Sequence, residues 1–240
     1  MYDVIVFGAG FAAAGIAKVC KKRCLVLERR MEAGYEFFGA LNFGTSYNVA
    51  PKQKEAEEMQ KQFCNNASPY ENSALLYPIF KQCDIYFGTE IVSVEPGSEG
   101  FLCTTHGVEG YQTFTAKTIV DTRSIAKNCS TKTFNLLIES EETPEFEGIS
   151  WKRADADGRV ILQIPVPLSC TFYEARKIAL EIIEKFSPTQ KLILSANEFD
   201  YKISASDQDT DGIRALPSKA YDNPILAYEA GLIFGKELIK

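Results

Sequence analysis

Gly8 and Gly10 close one apolar run, and Glu28 closes the next. These residue types at this spacing suit one chemistry, the holding of a nucleotide diphosphate. Gly8 permits a tight turn, Gly10 lets the backbone approach a pyrophosphate, and Ala13, in the third small position, lets a helix pack close to a strand. A helix starting there turns unpaired N–H groups and its positive dipole end toward the phosphates. Glu28 is placed to accept hydrogen bonds from a ribose diol. The same glycines also suit a plain βαβ unit in which they serve close packing alone.

The elements that must position these residues are legible around them. Val4, Ile5, Val6 and Phe7 form a continuous apolar run, as a parallel strand buried on both faces does. Ala14, Ala17 and Val19 mark a helix running through Lys22, and Cys24 to Leu27 form a second apolar strand. The order is strand, glycine turn, helix, strand, acid.

The chain has 240 residues, room for one large domain or for a domain carrying an insertion. With 45% hydrophobic and 24% charged residues it has the make-up of a globular protein rather than a disordered one. A net charge of −6 argues against a nucleic-acid partner, which calls for an excess of Lys and Arg. The single histidine, His106, excludes a multi-histidine metal site within one chain, and no metal is expected. Seven cysteines without a CxxC pair read as free thiols in a reducing compartment. Met1-Tyr2 leads straight into the strand pattern, with no basic region or cleavage site before it. No apolar stretch approaches the ~20 residues of a membrane span. A soluble, cytoplasmic protein with no membrane partner is expected.

Tyr2-Asp3-Val4-Ile5-Val6-Phe7-Gly8-Ala9-Gly10, with Glu28-Arg29-Arg30 after the second strand, resembles the glutathione-reductase-like superfamily of FAD-dependent oxidoreductases, in its branch with a single nucleotide domain. The resemblance implies an α/β fold: a Rossmann-type FAD-binding domain with a parallel sheet and a β-meander, carrying a small inserted α+β cap domain. It implies FAD as the cofactor, with Gly8, Ala9, Gly10, Phe11, Ala12 and Ala13 around its pyrophosphate and Glu28, Arg29 and Arg30 at its adenosine ribose. The loop from Gly34 to Gly44, which includes Asn42, would run along the flavin, and Ile91 would set its backbone against the adenine. In the family the strand over 117–121 ends in Asp-Ala-Thr-Gly. Here Asp121-Thr122-Arg123-Ser124 keeps Thr122 beside the cofactor and lacks the glycine. Asn223 and Pro224 would open a helix aimed at the pyrimidine and ribityl end of the flavin.

Further elements follow from pattern. Helices are expected over 51–64, starting at Pro51, and over 71–83, kinked or broken at Pro78. Strands are expected over 84–87 and 90–95, then a hairpin over 101–105 and 111–115 with His106 at its turn, then another strand over 117–121. Residues 134–203 read as the insertion between the two parts, 1–133 and 204–240, of the nucleotide domain. The insertion holds strands at 134–138, 149–153, 159–166, 191–194 and 199–203, a turn at Asp157-Gly158, and a helix opened by the capping box Thr171-Phe172-Tyr173-Glu174. Asn223 suits an N-cap and Pro224 the first helical position. Asp207-Gln208-Asp209-Thr210-Asp211-Gly212 imitates a calcium loop, but Ser218 stands where that loop needs a bidentate Glu, so a polar loop is expected.

Two functions follow. The resemblance implies an FAD-dependent oxidoreductase that exchanges a hydride between flavin N5 and a small-molecule substrate. Its catalytic residues are not identified; Tyr35, Asn42 and Trp151 are candidates by position alone. No second glycine-rich motif marks an NAD domain, which leaves NAD(P)H open as a transient donor over the flavin. The alternative is a dinucleotide-binding protein without turnover, alone or in a larger redox assembly. The missing glycine after Thr122 and the lack of a recognisable catalytic set favour that alternative.

Overall fold

A computed structural model of the chain describes residues 1–65, 69–123, 129–142, 144–154, 158–203, 209 and 211–239. β1 (Tyr2–Phe7) pairs in parallel with β2 (Cys24–Leu27), and α1 (Phe11–Cys20) makes the crossover. Helices α2 (Tyr35–Phe38), α3 (Lys54–Asn65), α4 (Pro69–Ala74) and α5 (Tyr77–Phe80) follow. β3 (Asp84–Tyr86) then adds in parallel to β2. β4 (Glu90–Gly97), β5 (Gly100–Gly107) and β6 (Gly110–Asp121) form an antiparallel meander. β6 is long enough to serve two partners: its start pairs with β5, and its stretch from Ala116 to Asp121 pairs in parallel with β1. The resulting order is β3-β2-β1-β6-β5-β4.

The β1 run is buried on both faces, for a different reason on each. Val4 and Val6 pack with Phe11, Ala13 and Ile16 of α1, whereas Ile5 and Phe7 pack with Cys103, Ala116 and Ile119 of the meander. Each such buried side chain stabilises the fold by about 1.5–3 kcal/mol, which is why the sequence signal here is continuous rather than alternating.

A second, smaller sheet is antiparallel and centred on β7 (Cys129–Ser140). β8 (Ser150–Arg153) is an edge strand, paired to β9 (Arg159–Pro165), which pairs with β7. After α6 (Phe172–Ile183), β10 (Gln190–Ser195) and β11 (Asp200–Ile203) pair with successive stretches of β7. The capping box forms as expected: Glu174 N donates to Thr171 Oγ1 at 3.3 Å, and Thr171 N donates to the Glu174 carboxylate at 2.7 Å. The chain then returns to the first sheet, where β12 (Arg214–Ala215) pairs in parallel with the end of β6. α7 (Pro224–Leu238) packs on α1, with Asn223 as its N-cap and Pro224 at its first position. The two helices meet backbone to backbone: a Cβ on Gly231 would lie 2.0 Å from Ala12 O, and one on Gly15 would lie 2.3 Å from Tyr228 O.

Several expected boundaries move. The helix expected from Pro51 starts at Lys54, because the amides of Lys52 and Gln53 donate to the Glu229 carboxylate instead of entering a helix. The helix expected over 71–83 is two short ones, and the break precedes Pro78, which sits in the first turn of α5, where its missing N–H costs nothing. The strands expected at 111–115 and 117–121 are one strand, β6, and the strand expected at 134–138 is the middle of β7. Asp157, Ser124 and, in the calcium-like stretch, Asp207, Gln208 and Thr210 lie outside the described residues. Among the described residues no helix is long and apolar enough to cross a membrane, and no group of His, Cys, Asp and Glu is placed to hold a metal ion. Cys20, Cys24, Cys83, Cys103, Cys129 and Cys170 are buried and form no disulfide.

Candidate dinucleotide site

A cavity of about 390 Å³ opens beyond the C-terminal ends of β1, β2 and β6. β1 has β2 on one side and β6 on the other, so this is the switch point at which open α/β sheets bind ligands. Gly8, Gly10, Glu28, Arg30, Thr122 and Arg123 line it from the first sheet, and Glu198, Phe199 and Tyr201 from the second.

The turn is built as its glycines require. Gly8 has φ +93°, a conformation that favours glycine, and its N–H donates to Leu27 O at 2.8 Å. Thr122 Oγ1 donates to Phe7 O at 2.8 Å and fixes the end of β6 beside the turn. Glu28 is buried, and its two carboxylate oxygens accept from Ala9 N and Arg30 N, each at 2.7 Å. Burial pushes the Glu28 carboxyl above the ordinary carboxylate range, opposed by those two amides.

The N-terminal amides of α1 are already engaged. Phe11 N donates to Glu36 Oε1 at 2.9 Å, and Ala12 N donates to the fully buried Ser218 Oγ at 3.1 Å. Ser218 in turn hydrogen-bonds the Glu36 carboxylate, whose protonation is favoured by burial. Glu36 is half-buried as a residue, while its carboxyl end is enclosed against the helix. A Cβ added to Gly10 would lie 2.2 Å from Glu36 Oε1. Gly34 N donates to Ala9 O at 2.9 Å, which ties the loop carrying Glu36 to the glycine turn. At the other glycine, a Cβ on Gly8 would lie 2.8 Å from Arg123 Cγ. Arg123 is held there by two bonds to Asp121, at 2.9 and 2.7 Å.

The second sheet closes the far wall. Arg29 and Arg30 both pair with Glu198, and the Arg30 guanidinium lies 4.6 Å from the Tyr35 ring centroid. Tyr35 OH donates to Asn197 O at 3.0 Å. A separate polar chain joins the two sheets: Lys152 Nζ donates to Asn42 Oδ1, Asn42 Nδ2 donates to Asp200 Oδ2 at 2.6 Å, and Lys219 Nζ pairs with Asp200 Oδ1 at 2.7 Å. Burial pushes the Lys152 amine down to about 8, with Asp200 opposing and Lys219 reinforcing the shift. An amine in that range can hold or release a proton near neutral pH.

The expected residues therefore fall in different places. Gly8, Gly10, Glu28, Arg29, Arg30 and Thr122 line the cavity. Ala9, Phe11 and Ala12 are buried outside its lining, with amides that donate to Glu28, Glu36 and Ser218, and Ala13 is buried in the helix–sheet core. Asn42 belongs to the Lys152 chain. Glu90 lines the cavity, while Ile91 packs beside Ile5 and Phe7. Asn223 caps α7 and donates to Thr45 O at 2.8 Å, with Pro224 buried behind it. Trp151 stands 40% exposed on the edge strand β8. Glu36, Ser218 and Glu198 were not singled out from sequence. Their partners lie far along the chain, and no local pattern marks them.

No protein-family model and no curated protein matches the chain. Solved structures match in fold. Aklavinone-11 hydroxylase, in a ternary complex with FAD and aklavinone, aligns with 99% of this chain and 61% of its own, at 13% identity and TM-score 0.58. Anhydrotetracycline hydroxylase from Streptomyces rimosus aligns with 99% of this chain and 61% of its own, at 14% identity and TM-score 0.58. The fold is the one these hydroxylases have. p-Nitrophenol 4-monooxygenase from Pseudomonas putida DLL-E4 shares it too, over all of this chain and 79% of its own, at 13% identity and TM-score 0.57. The chain thus spans 61% of the length of two of these hydroxylases.

A glycine turn, the start of α1 and a buried acid meet at one cavity, a donor set that fits a dinucleotide such as the FAD in the aklavinone-11 hydroxylase complex. The space beside Gly10 at the N-terminus of α1 is filled by the Glu36 carboxylate.

Proposed function

We propose that the chain is an FAD-dependent oxidoreductase of the single-nucleotide-domain, glutathione-reductase-like kind, acting on a small molecule with NAD(P)H as a transient donor. One observation carries this reading: the Gly8–Gly10 turn, the N-terminus of α1 and the buried Glu28 open onto one cavity at the switch point of a flavoprotein fold. The glycine turn and the amide of Phe11 would hold the diphosphate, Glu28 the adenosine ribose, and Arg30 and Arg123 would balance phosphate charge. When bound, FAD supplies hydride exchange at its N5. Residues 1–133 and 204–240 would form the nucleotide domain and 134–203 the cap that excludes water. Lys152, held by Asn42 between the two sheets, would hold or release a proton near neutral pH.

The test is a visible absorption spectrum of the purified protein, taken before and after adding FAD and desalting. Near-stoichiometric flavin bands that bleach with an anaerobic reductant are expected. A protein that neither carries nor retains FAD contradicts the reading. A second reading, a dinucleotide-binding protein without turnover, is favoured by Glu36 on α1 and Arg123 across Gly8. It predicts retained flavin that no NAD(P)H bleaches.

A further inference from the structure

We infer that Glu36 is an internal anion seated in place of a diphosphate, and that FAD enters the cleft only by displacing it. This rests on the dinucleotide reading above and identifies the residue that sets its affinity. The geometry is specific. Gly10 is the position where the missing Cβ opens the backbone to a phosphate, and the atom that would meet that Cβ is Glu36 Oε1, at 2.2 Å. The same oxygen accepts from Phe11 N at 2.9 Å, the first amide of α1. Ser218, which accepts from Ala12 N, also hydrogen-bonds this carboxylate. A carboxylate with two donors at a helix N-terminus copies the recognition of a phosphate oxygen.

Displacement follows from charge and from anchoring. Glu28 already places a second carboxyl beside the turn, so a diphosphate added to Glu36 and Glu28 would gather like charges at one helix end. Glu36 is attached at the four-residue α2, whose start is pinned by Gly34 N to Ala9 O. The backbone can therefore stay while the side chain leaves. Arg30 and Arg123 line the same cavity and offer cations to a carboxylate that turns into it. The closed arrangement keeps the α1 amides satisfied when no nucleotide is bound, at the cost of weakened nucleotide affinity.

The experiment titrates FAD against the full chain by quenching of flavin fluorescence, for wild type, Glu36→Gln and Glu36→Ala, with thermal melts to establish that each is folded. Glu36→Ala is expected to bind FAD at least tenfold more tightly than wild type, and Glu36→Gln to fall between them. Equal or weaker binding by both variants overturns the inference and leaves the FAD reading standing on the wild-type Kd. If Glu36→Ala does not fold, the Glu36→Gln ratio decides. If no folded protein of the set binds FAD, the FAD reading falls and the inference with it.

Discussion

Glu28 Oε2 accepts from Ala9 N at 2.7 Å, so the acid at the end of β2 holds the glycine turn as well as facing the cavity. Its other oxygen accepts from Arg30 N at 2.7 Å. Glu28→Ala leaves both amides without these acceptors, and each lost partner costs about 1–3 kcal/mol, reduced where cavity water can replace it. Urea unfolding should show a loss of about 2 kcal/mol for Glu28→Ala and a smaller one for Glu28→Gln, which keeps one oxygen. An unchanged midpoint for Glu28→Ala would contradict a holding role for the carboxylate.

The contact between α1 and α7 makes a second prediction. At Gly231 an added Cβ meets Ala12 O at 2.0 Å and Gly15 Cα at 3.0 Å, atoms of a neighbouring backbone that cannot rotate away. Gly231→Ala should cost about 3 kcal/mol or prevent folding. At Gly110 nothing lies within 4 Å and only φ +83° opposes a side chain, so Gly110→Ala should cost about 1 kcal/mol. Thermal unfolding of the pair separates crowding from backbone strain. Equal losses would mean that the helices part easily.

Lys152 gives a pH prediction. Its folded value of about 8 lies below the ordinary 10.5. Between these values the unfolded chain keeps the proton and the folded chain has lost it, so unfolding takes up a proton. The stability of wild type relative to Lys152→Met should therefore rise as pH rises from about 8 to 10.5 and be level below that window. Reductive methylation with ¹³C-formaldehyde and an NMR titration should place one lysine in this low range. Asp200→Asn should lower it further, because Asp200 favours the charged amine. A Lys152 that titrates with the other lysines would contradict the burial.

Much of the first sheet and its helices was legible because the signals are local. The Val4–Phe7 run, the Gly8–Gly10 turn and the acid at Glu28 occur within one βαβ unit, and the structure sets them together. Asn223 and Pro224 gave the start of α7 for the same reason, since a cap and its helix are neighbours. What stayed hidden depends on distant partners. Glu36 looks like one acid in an aromatic loop until Phe11 N and Ser218 are brought beside it. The start of α3 moved because Glu229, on α7, takes two amides that helix propensity assigned to the helix. The cavity wall at β4 shows how one residue of register matters: Glu90 faces the cavity, while its neighbour Ile91 packs into the core.

Binding of FAD at the Gly8–Gly10 turn is checked by amide chemical-shift mapping of ¹⁵N-labelled protein with added FAD. The largest shifts are expected at Gly8 to Ala12, at Glu28 to Arg30, at Glu36 and at Thr122, with saturation at one FAD per chain. Shifts confined to other parts of the molecule, or none at millimolar FAD, would contradict it.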